Sequence, residues 1–159
     1  MRIEYLHASV YGNGAKVAEE FRQLMSYRGA AVDVRHVREA KPEKLPPADL
    51  YLFSSPGRFG KPIKDMLCFV KKLQLAPGTK YALLVTELAP QPDKQGRMSS
   101  EEGPGKCQQV IPILNEMLQG KGLVKAAEGK VRVTGIKGPL EEGWQGYVEV
   151  FAEQFPVEP

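Results

Sequence analysis

An α/β domain built on a five-stranded parallel sheet of order 2-1-3-4-5 is the fold class that the sequence predicts, and three observations predict it. Strand patterns alternate with amphipathic helix patterns five times along the 159 residues. The strands read as near-continuous apolar runs, as they do where helices cover both faces of a parallel sheet. The first strand then passes through a short hydroxyl- and glycine-rich turn, Ser9-Val10-Tyr11-Gly12-Asn13-Gly14, straight into a helix. Right-handed crossovers turn this alternation into a three-layer sandwich whose strand order reverses between strands one and three.

Residues 2–8 read as the first strand. Residues 14–28 read as the first helix, because Val17, Ala18, Phe21, Leu24 and Met25 recur at the three- and four-residue spacing of one buried face. Gly29 closes it. Residues 31–37 form the second strand, 38–47 a Pro- and Lys-containing connector with room for one short helical turn, and 49–55 the third strand. The next helix, 62–73, places Ile63, Met66, Leu67, Val70 and Leu73 on one face, and 80–86 is a strongly apolar fourth strand. Residues 88–105 are rich in Pro, Gly, Ser and charge, a loop of a length that is either functional or mobile. A helix follows at 106–119, where Pro112 either kinks it or marks a later start. A strand at 125–134 and a helix at 140–155 complete the fifth unit, and the length suits one domain over residues 1–159.

Hydrophobic residues make up 42% of the chain and charged residues 26%, and no apolar run reaches the length of a membrane span. The start lacks the pattern of a secretory signal, so a soluble, cytoplasmic protein is expected. Cys68 and Cys107 have neither CxxC nor Cys/His spacing, which points away from a structural metal, an iron–sulfur cluster or a disulfide. Cys68, set among Met66, Leu67, Phe69 and Val70, is expected to pack in the core, whereas Cys107 falls near a helix start beside the long loop. The net charge of +3 is spread among acidic residues, without the basic stripe and interleaved aromatics of a nucleic-acid surface.

The turn at Ser9–Gly14 makes an anion seat. Backbone N–H groups of the turn and of the first helical residues have no intrahelical acceptor, and together with the helix dipole they favour a phosphate. Ser9, Tyr11 and Asn13 can add side-chain donors. A nucleoside-triphosphate loop would need GxxxxGK(S/T), which is missing, and a dinucleotide fingerprint fails because Val17 occupies the third glycine position and no acid closes the second strand. A second turn, Ser54-Ser55-Pro56-Gly57-Arg58-Phe59-Gly60, leaves the third strand, so both turns open at the same switch point. His7, at the end of the first strand, either touches the bound anion or bonds to backbone. Glu4 interrupts an apolar strand, so it lies at a solvated end or has a partner, in a structural role.

Ser9–Gly14 resembles the phosphate loop of the flavodoxin family, which commonly reads Ser/Thr-x-Thr-Gly-Asn-Thr, with Tyr11 and Gly14 here in place of two hydroxyl residues. Ser55–Gly60 is similar to that family's next flavin-contacting loop. It also resembles the Pro-Thr-Arg-Phe-Gly segment of the FMN-dependent NAD(P)H:quinone oxidoreductases of the tryptophan-repressor-binding type. The resemblance implies a flavodoxin-like three-layer sandwich that binds FMN non-covalently. The implied contacts are Ser9, Val10, Tyr11, Gly12, Asn13 and Gly14 on the phosphate, and Ser55, Pro56, Gly57, Arg58, Phe59 and Gly60 along the flavin. A third loop would begin at Thr86, Glu87 and Leu88. Phe59 would lie against the ring. Arg58 would either stabilise the reduced, anionic ring or hold the phosphate of a pyridine nucleotide.

The chain lacks the further catalytic insertion of those reductases, so the resemblance implies a single-domain electron carrier exchanging electrons with a redox partner protein. The alternative is an FMN-dependent oxidoreductase reduced by NAD(P)H, with a quinone or similar acceptor. Neither reading involves nucleic acid or a membrane, and neither fixes the oligomeric state. Small flavodoxin carriers are typically strongly acidic, and this chain departs from that pattern. Lys61, Lys64, Lys94, Arg97 and Lys106 either form a basic rim around the crevice or are simply solvated.

Overall fold

The computed structural model describes residues 1–58, 60–89, 109–135 and 137–156, with the side chain of Arg58 left out. Five strands form one parallel sheet: β1 (Arg2–His7), β2 (Ala31–His36), β3 (Leu50–Ser54), β6 (Lys80–Leu88) and β7 (Val124–Val133). Two short strands, β4 (Gly57–Arg58) and β5 (Lys61–Pro62), pair antiparallel as a separate hairpin. The sheet order is β2-β1-β3-β6-β7, which is the expected 2-1-3-4-5 once that hairpin is set aside.

Helices cover both faces. α1 (Asn13–Tyr27) and α4 (Trp144–Glu153) pack on one side, over Ile3, Tyr5, Leu50, Leu52, Ala82 and Leu84. α2 (Lys64–Lys72) and α3 (Val110–Gly120) pack on the other, over Leu6, Tyr51, Phe53, Leu83 and Val85. Alternate residues of each strand thus enter opposite cores, which is why these strands are apolar throughout rather than at every second position. Arg28, at the end of α1, donates to the carbonyls of Ala152 (2.6 Å) and Phe155 (2.8 Å), tying α1 to the last turn of α4.

Several expectations shift. The second strand ends at His36, and the turn expected in the following connector forms at once as a 3-10 helix, Val37–Glu39. The segment after the third strand is the β4/β5 hairpin, so the second helix begins at Lys64 instead of residue 62. Its buried face carries Phe69 as well as Met66 and Val70, while Leu67 is only partly buried. Cys68 is exposed, a correction to its expected place in the core: it sits one residue outside the buried stripe. Pro112 is the third residue of α3 and marks its start, since a first-turn residue has no intrahelical acceptor to lose. The last helix begins at Trp144, after Gly143 in the left-handed conformation (φ 83°).

Glu4 is fully buried, and its partners come from β1 and the edge strand β2: Arg2 at 3.0 Å and Arg35 at 3.9 Å. Burial pushes its carboxyl above the usual range, against the opposing pull of Arg2 and Arg35. The structural role expected for it is therefore an ion pair at the sheet edge.

Candidate functional site

The carboxyl ends of β2, β1 and β3 bring His36, His7 and Ser54 into one row, because His7 pairs in register with both. The Ser9–Gly14 turn rises from this row into α1. Gly12 adopts the left-handed conformation (φ 91°) that the turn needs to enter the helix, and its N–H donates to Ser9 Oγ at 3.0 Å. Gly14 serves a different purpose. A Cβ there would stand 3.0 Å from Ser9 Cβ, so glycine lets the helix start close against the turn without displacing Ser9.

The first N–H along α1 to bond back within the helix is that of Lys16, which donates to Gly12 at 3.1 Å. The N–H groups of Asn13, Gly14 and Ala15 therefore lack intrahelical acceptors. No acid stands in the first turn of α1 to compete for them. Val10 and Tyr11 are exposed at the lip of the turn. The turn brings the sequence-predicted residues Ser9, Val10, Tyr11, Gly12, Asn13 and Gly14 together at the positive end of α1, with the N–H groups of Ser9 and Gly12 held by His7 Nδ1 and Ser9 Oγ.

The residues after β7 complete its wall, and the sequence reading missed them. Lys137 Nζ lies 5.8 Å from the Tyr11 ring centroid. Gly138, at φ 95°, packs on the Asn13 amide so closely that a Cβ would meet Asn13 Oδ1 at 2.7 Å. Thr134 holds this segment back through N–H and hydroxyl bonds to the Pro139 carbonyl, each 2.9 Å.

The second loop is braced from within. Ser55 is buried; its hydroxyl donates to the Pro56 carbonyl (2.9 Å) and accepts from Ile63 N–H (3.3 Å). Pro56 and Gly57 lie beside Thr86 and Val110, and a Cβ on Gly57 would meet Val110 Cγ2 at 3.2 Å. Gly60 (φ 76°) turns the hairpin, and its carbonyl accepts from Gln109 N–H at 2.7 Å. Phe59 and the Arg58 side chain lie outside the described residues, as do Lys94, Arg97, Lys106, Cys107 and most of the 88–105 loop. Lys61 and Lys64 are exposed.

The fourth strand runs to Leu88, past the expected end at residue 86, so Glu87 and Leu88 are strand residues here along with Thr86. Thr86 N–H donates to the Ser55 carbonyl at 3.2 Å, which joins the second and third loops. Glu87 is buried, with Lys130 Nζ at 3.6 Å. Two surface grooves, about 340 Å³ between α1 and α4 and about 280 Å³ beside Val37 and Phe69, share no residue with these three loops.

His7 bonds to backbone, the second of its two expected readings: Ser9 N–H donates to its Nδ1 at 3.3 Å. Burial holds its pKa down to about 4, with His36 lowering it further and Glu39 opposing. An unfolded chain protonates this residue near 6.5, so the folded protein binds fewer protons between those values and loses stability as pH falls through them. By about pH 5 the loss is on the order of 2 kcal/mol. Glu4, whose pKa is raised, has the opposite sign and loses stability as pH rises through the carboxylate range. Urea midpoints at about pH 7 and 5 isolate the histidine: His7→Asn, which cannot titrate, is expected to lose most of the acid sensitivity. An unchanged acid sensitivity would remove His7 from this account.

Among the described residues, no helix is long and apolar enough to cross a membrane, and no cluster of three His, Cys, Asp or Glu side chains could hold a metal. The sequence matches no family model and no curated protein. Solved structures do match. A Streptococcus pneumoniae TIGR4 flavodoxin is 16% identical with a TM-score of 0.72, the match covering 97% of each chain. Flavodoxin 2 from Bacillus cereus is 17% identical with a TM-score of 0.73, again over 97% of each chain. The rubredoxin oxygen:oxidoreductase of Desulfovibrio gigas is 11% identical with a TM-score of 0.65, covering 96% of this chain and 34% of that one. These likenesses, end to end for the two flavodoxins, establish the architecture: the chain has the flavodoxin fold.

Proposed function

We propose that this chain binds FMN without a covalent link and works as a single-domain electron carrier that exchanges electrons with a redox partner protein. The observation that carries the reading is the Ser9–Gly14 turn. Its donors consist of backbone N–H groups and neutral side chains at a helix start free of acids, and Gly14 clears the space a Cβ would fill. That chemistry suits a phosphate dianion held without a metal. Bound FMN supplies reversible one- and two-electron chemistry.

The protein's part is to hold and orient. Ser9, Val10, Tyr11, Gly12, Asn13 and Gly14 take the phosphate, with Lys137 adding a positive charge beside Tyr11. Ser55 braces the second loop through its own bonds to Pro56 and Ile63, so Pro56, Gly57 and Gly60 offer backbone rather than side chains to the flavin. Arg58 and Phe59 are assigned to the same loop by position. Thr86, Glu87 and Leu88 support it from β6, Thr86 through its bond to Ser55.

Purified protein incubated with FMN is expected to turn yellow, to quench the flavin's fluorescence, and to keep the flavin through desalting. Protein that stays colourless overturns the reading. Stopped-flow mixing of the loaded protein with NADPH or NADH then tests the carrier role: slow or absent bleaching is expected, and rapid bleaching would reassign the chain to the NAD(P)H oxidoreductases.

A further inference from the structure

Two histidines grip Ser9 of the anion loop from both sides, one at the peptide before its Cα and the other at the peptide after it. Ser9 N–H donates to His7 Nδ1 at 3.3 Å, and the Ser9 carbonyl lies 3.0 Å from His36 Nε2. Arg38 N–H donates to His36 Nδ1 at 3.1 Å, so that nitrogen is the bare one and Nε2 carries the hydrogen it gives to Ser9. The same reasoning places the hydrogen of His7 on Nε2. The rings meet edge to face at 5.1 Å, as register partners on neighbouring strands. Ser9 passes the constraint onward, because its Oγ accepts from the N–H of Gly12, the residue that opens α1.

We propose that His7 and His36 are paired positioning residues, both neutral with hydrogen on Nε2, that lock the two peptides flanking Ser9 and so preset the loop's N–H groups for a phosphate monoester. The identity of that ligand as FMN rests on the reading above. The reason the lock matters is entropic. A turn containing Gly12 and Gly14 has much backbone freedom to lose, and freedom removed on folding is not lost again on binding. Neutrality matters too: a proton added to His7 Nδ1 would set a donor against the Ser9 N–H. The charged or titratable neighbours that act on His7 are His36 and, from the 3-10 turn, Glu39.

Conservative and non-conservative variants separate positioning from bulk packing. In His7→Asn a side-chain oxygen stands near the place of Nδ1, and in His36→Gln an amide N–H stands near that of Nε2. Calorimetric titration at neutral pH is expected to show FMN binding weakened about tenfold in His7→Ala and in His36→Ala, from one lost hydrogen bond and a looser loop. His7→Asn and His36→Gln are expected to recover to within about threefold of the starting protein. Riboflavin, which has no phosphate, is expected to bind all five proteins alike. Nitrogen NMR of the wild-type imidazoles is expected to show both rings neutral with hydrogen on Nε2.

Alanine variants that bind FMN like the wild type would overturn the proposal, as would folded conservative variants that fail to recover, or a ring carrying its hydrogen on Nδ1. Should an alanine variant not fold, the conservative pair and the wild-type spectra decide. Wild-type protein that binds neither flavin sinks the FMN reading separately. The imidazole spectra and the shifts of the Ser9 and Gly14 amides on titration with inorganic phosphate then decide the role of the histidines.

Discussion

Asn13→Asp is expected to leave the protein folded and to lower its affinity for FMN about a hundredfold, because it places a carboxylate where the proposed phosphate dianion is to sit. Two like unit charges ~6 Å apart at an effective dielectric of ~20 repel by roughly 3 kcal/mol, and a hundredfold corresponds to about 2.7 kcal/mol. Gly138 lies against the Asn13 amide on one side. Folding responds in the opposite direction. Asn13 is the first residue of α1, whose first turn carries no acid, so a carboxylate there stabilises the helix by about 0.3–1 kcal/mol. Opposite signs for binding and stability distinguish this from general damage to the loop. Equilibrium titration with FMN and urea denaturation of the same sample measure the two. Affinity within about threefold of wild type would place the phosphate elsewhere.

The same residue shows where reading the sequence succeeds and where it stops. Asn13 and its neighbours are legible because a strand-turn-helix junction is local: the glycines, the hydroxyls and the helical spacing all fall in one short stretch. The switch point is legible for a similar reason, since the alternation of strands and helices fixes which turns share one end of the sheet. What faces Asn13 from outside is not local. Gly138 lies over a hundred residues away and reads as an ordinary turn glycine, yet its missing side chain is what admits the Asn13 amide.

His7 and His36 lie between these cases. Each is the last residue of its strand, and the expected 2-1-3 order already places those strand ends side by side. Their adjacency is within reach of the sequence, but their shared hold on Ser9 is not, because it depends on the tilt of the two peptide planes that flank that residue. Glu4 reads as lying at a solvated end or having a partner; the nearer partner, Arg2, is two residues away on the same strand, whereas Arg35 comes beside it only through the pairing of β1 with β2. Cys68 and Phe69 erred by one position, which is the tolerance of a helical stripe on a short helix. The fourth strand extends past its expected end by Glu87 and Leu88, because a charged residue reads as the close of an apolar run; Glu87 is paired there with Lys130, which is not near in sequence.

Phe21→Ala has the largest effect expected on stability. The ring is fully buried in the middle of α1 and is the common neighbour of three others: Tyr5 on β1 (5.6 Å between centroids), Phe151 on α4 (5.6 Å) and Phe155 just beyond it (5.4 Å). Phe151 and Phe155 also touch each other at 5.2 Å, so the cluster joins sheet, first helix and last helix at one place. Truncation leaves a cavity that these elements cannot close without moving relative to one another. A loss of roughly 3–5 kcal/mol is expected, out of a total of about 5–15 kcal/mol for a protein of ordinary stability. The urea midpoint should fall by roughly 2 M with an unchanged slope. The effect should stop at stability: Phe21 lies well along α1 from Gly14, so under folding conditions the variant should still take up FMN with near wild-type affinity. A loss below about 1 kcal/mol would mean that α1 and α4 do not share this core.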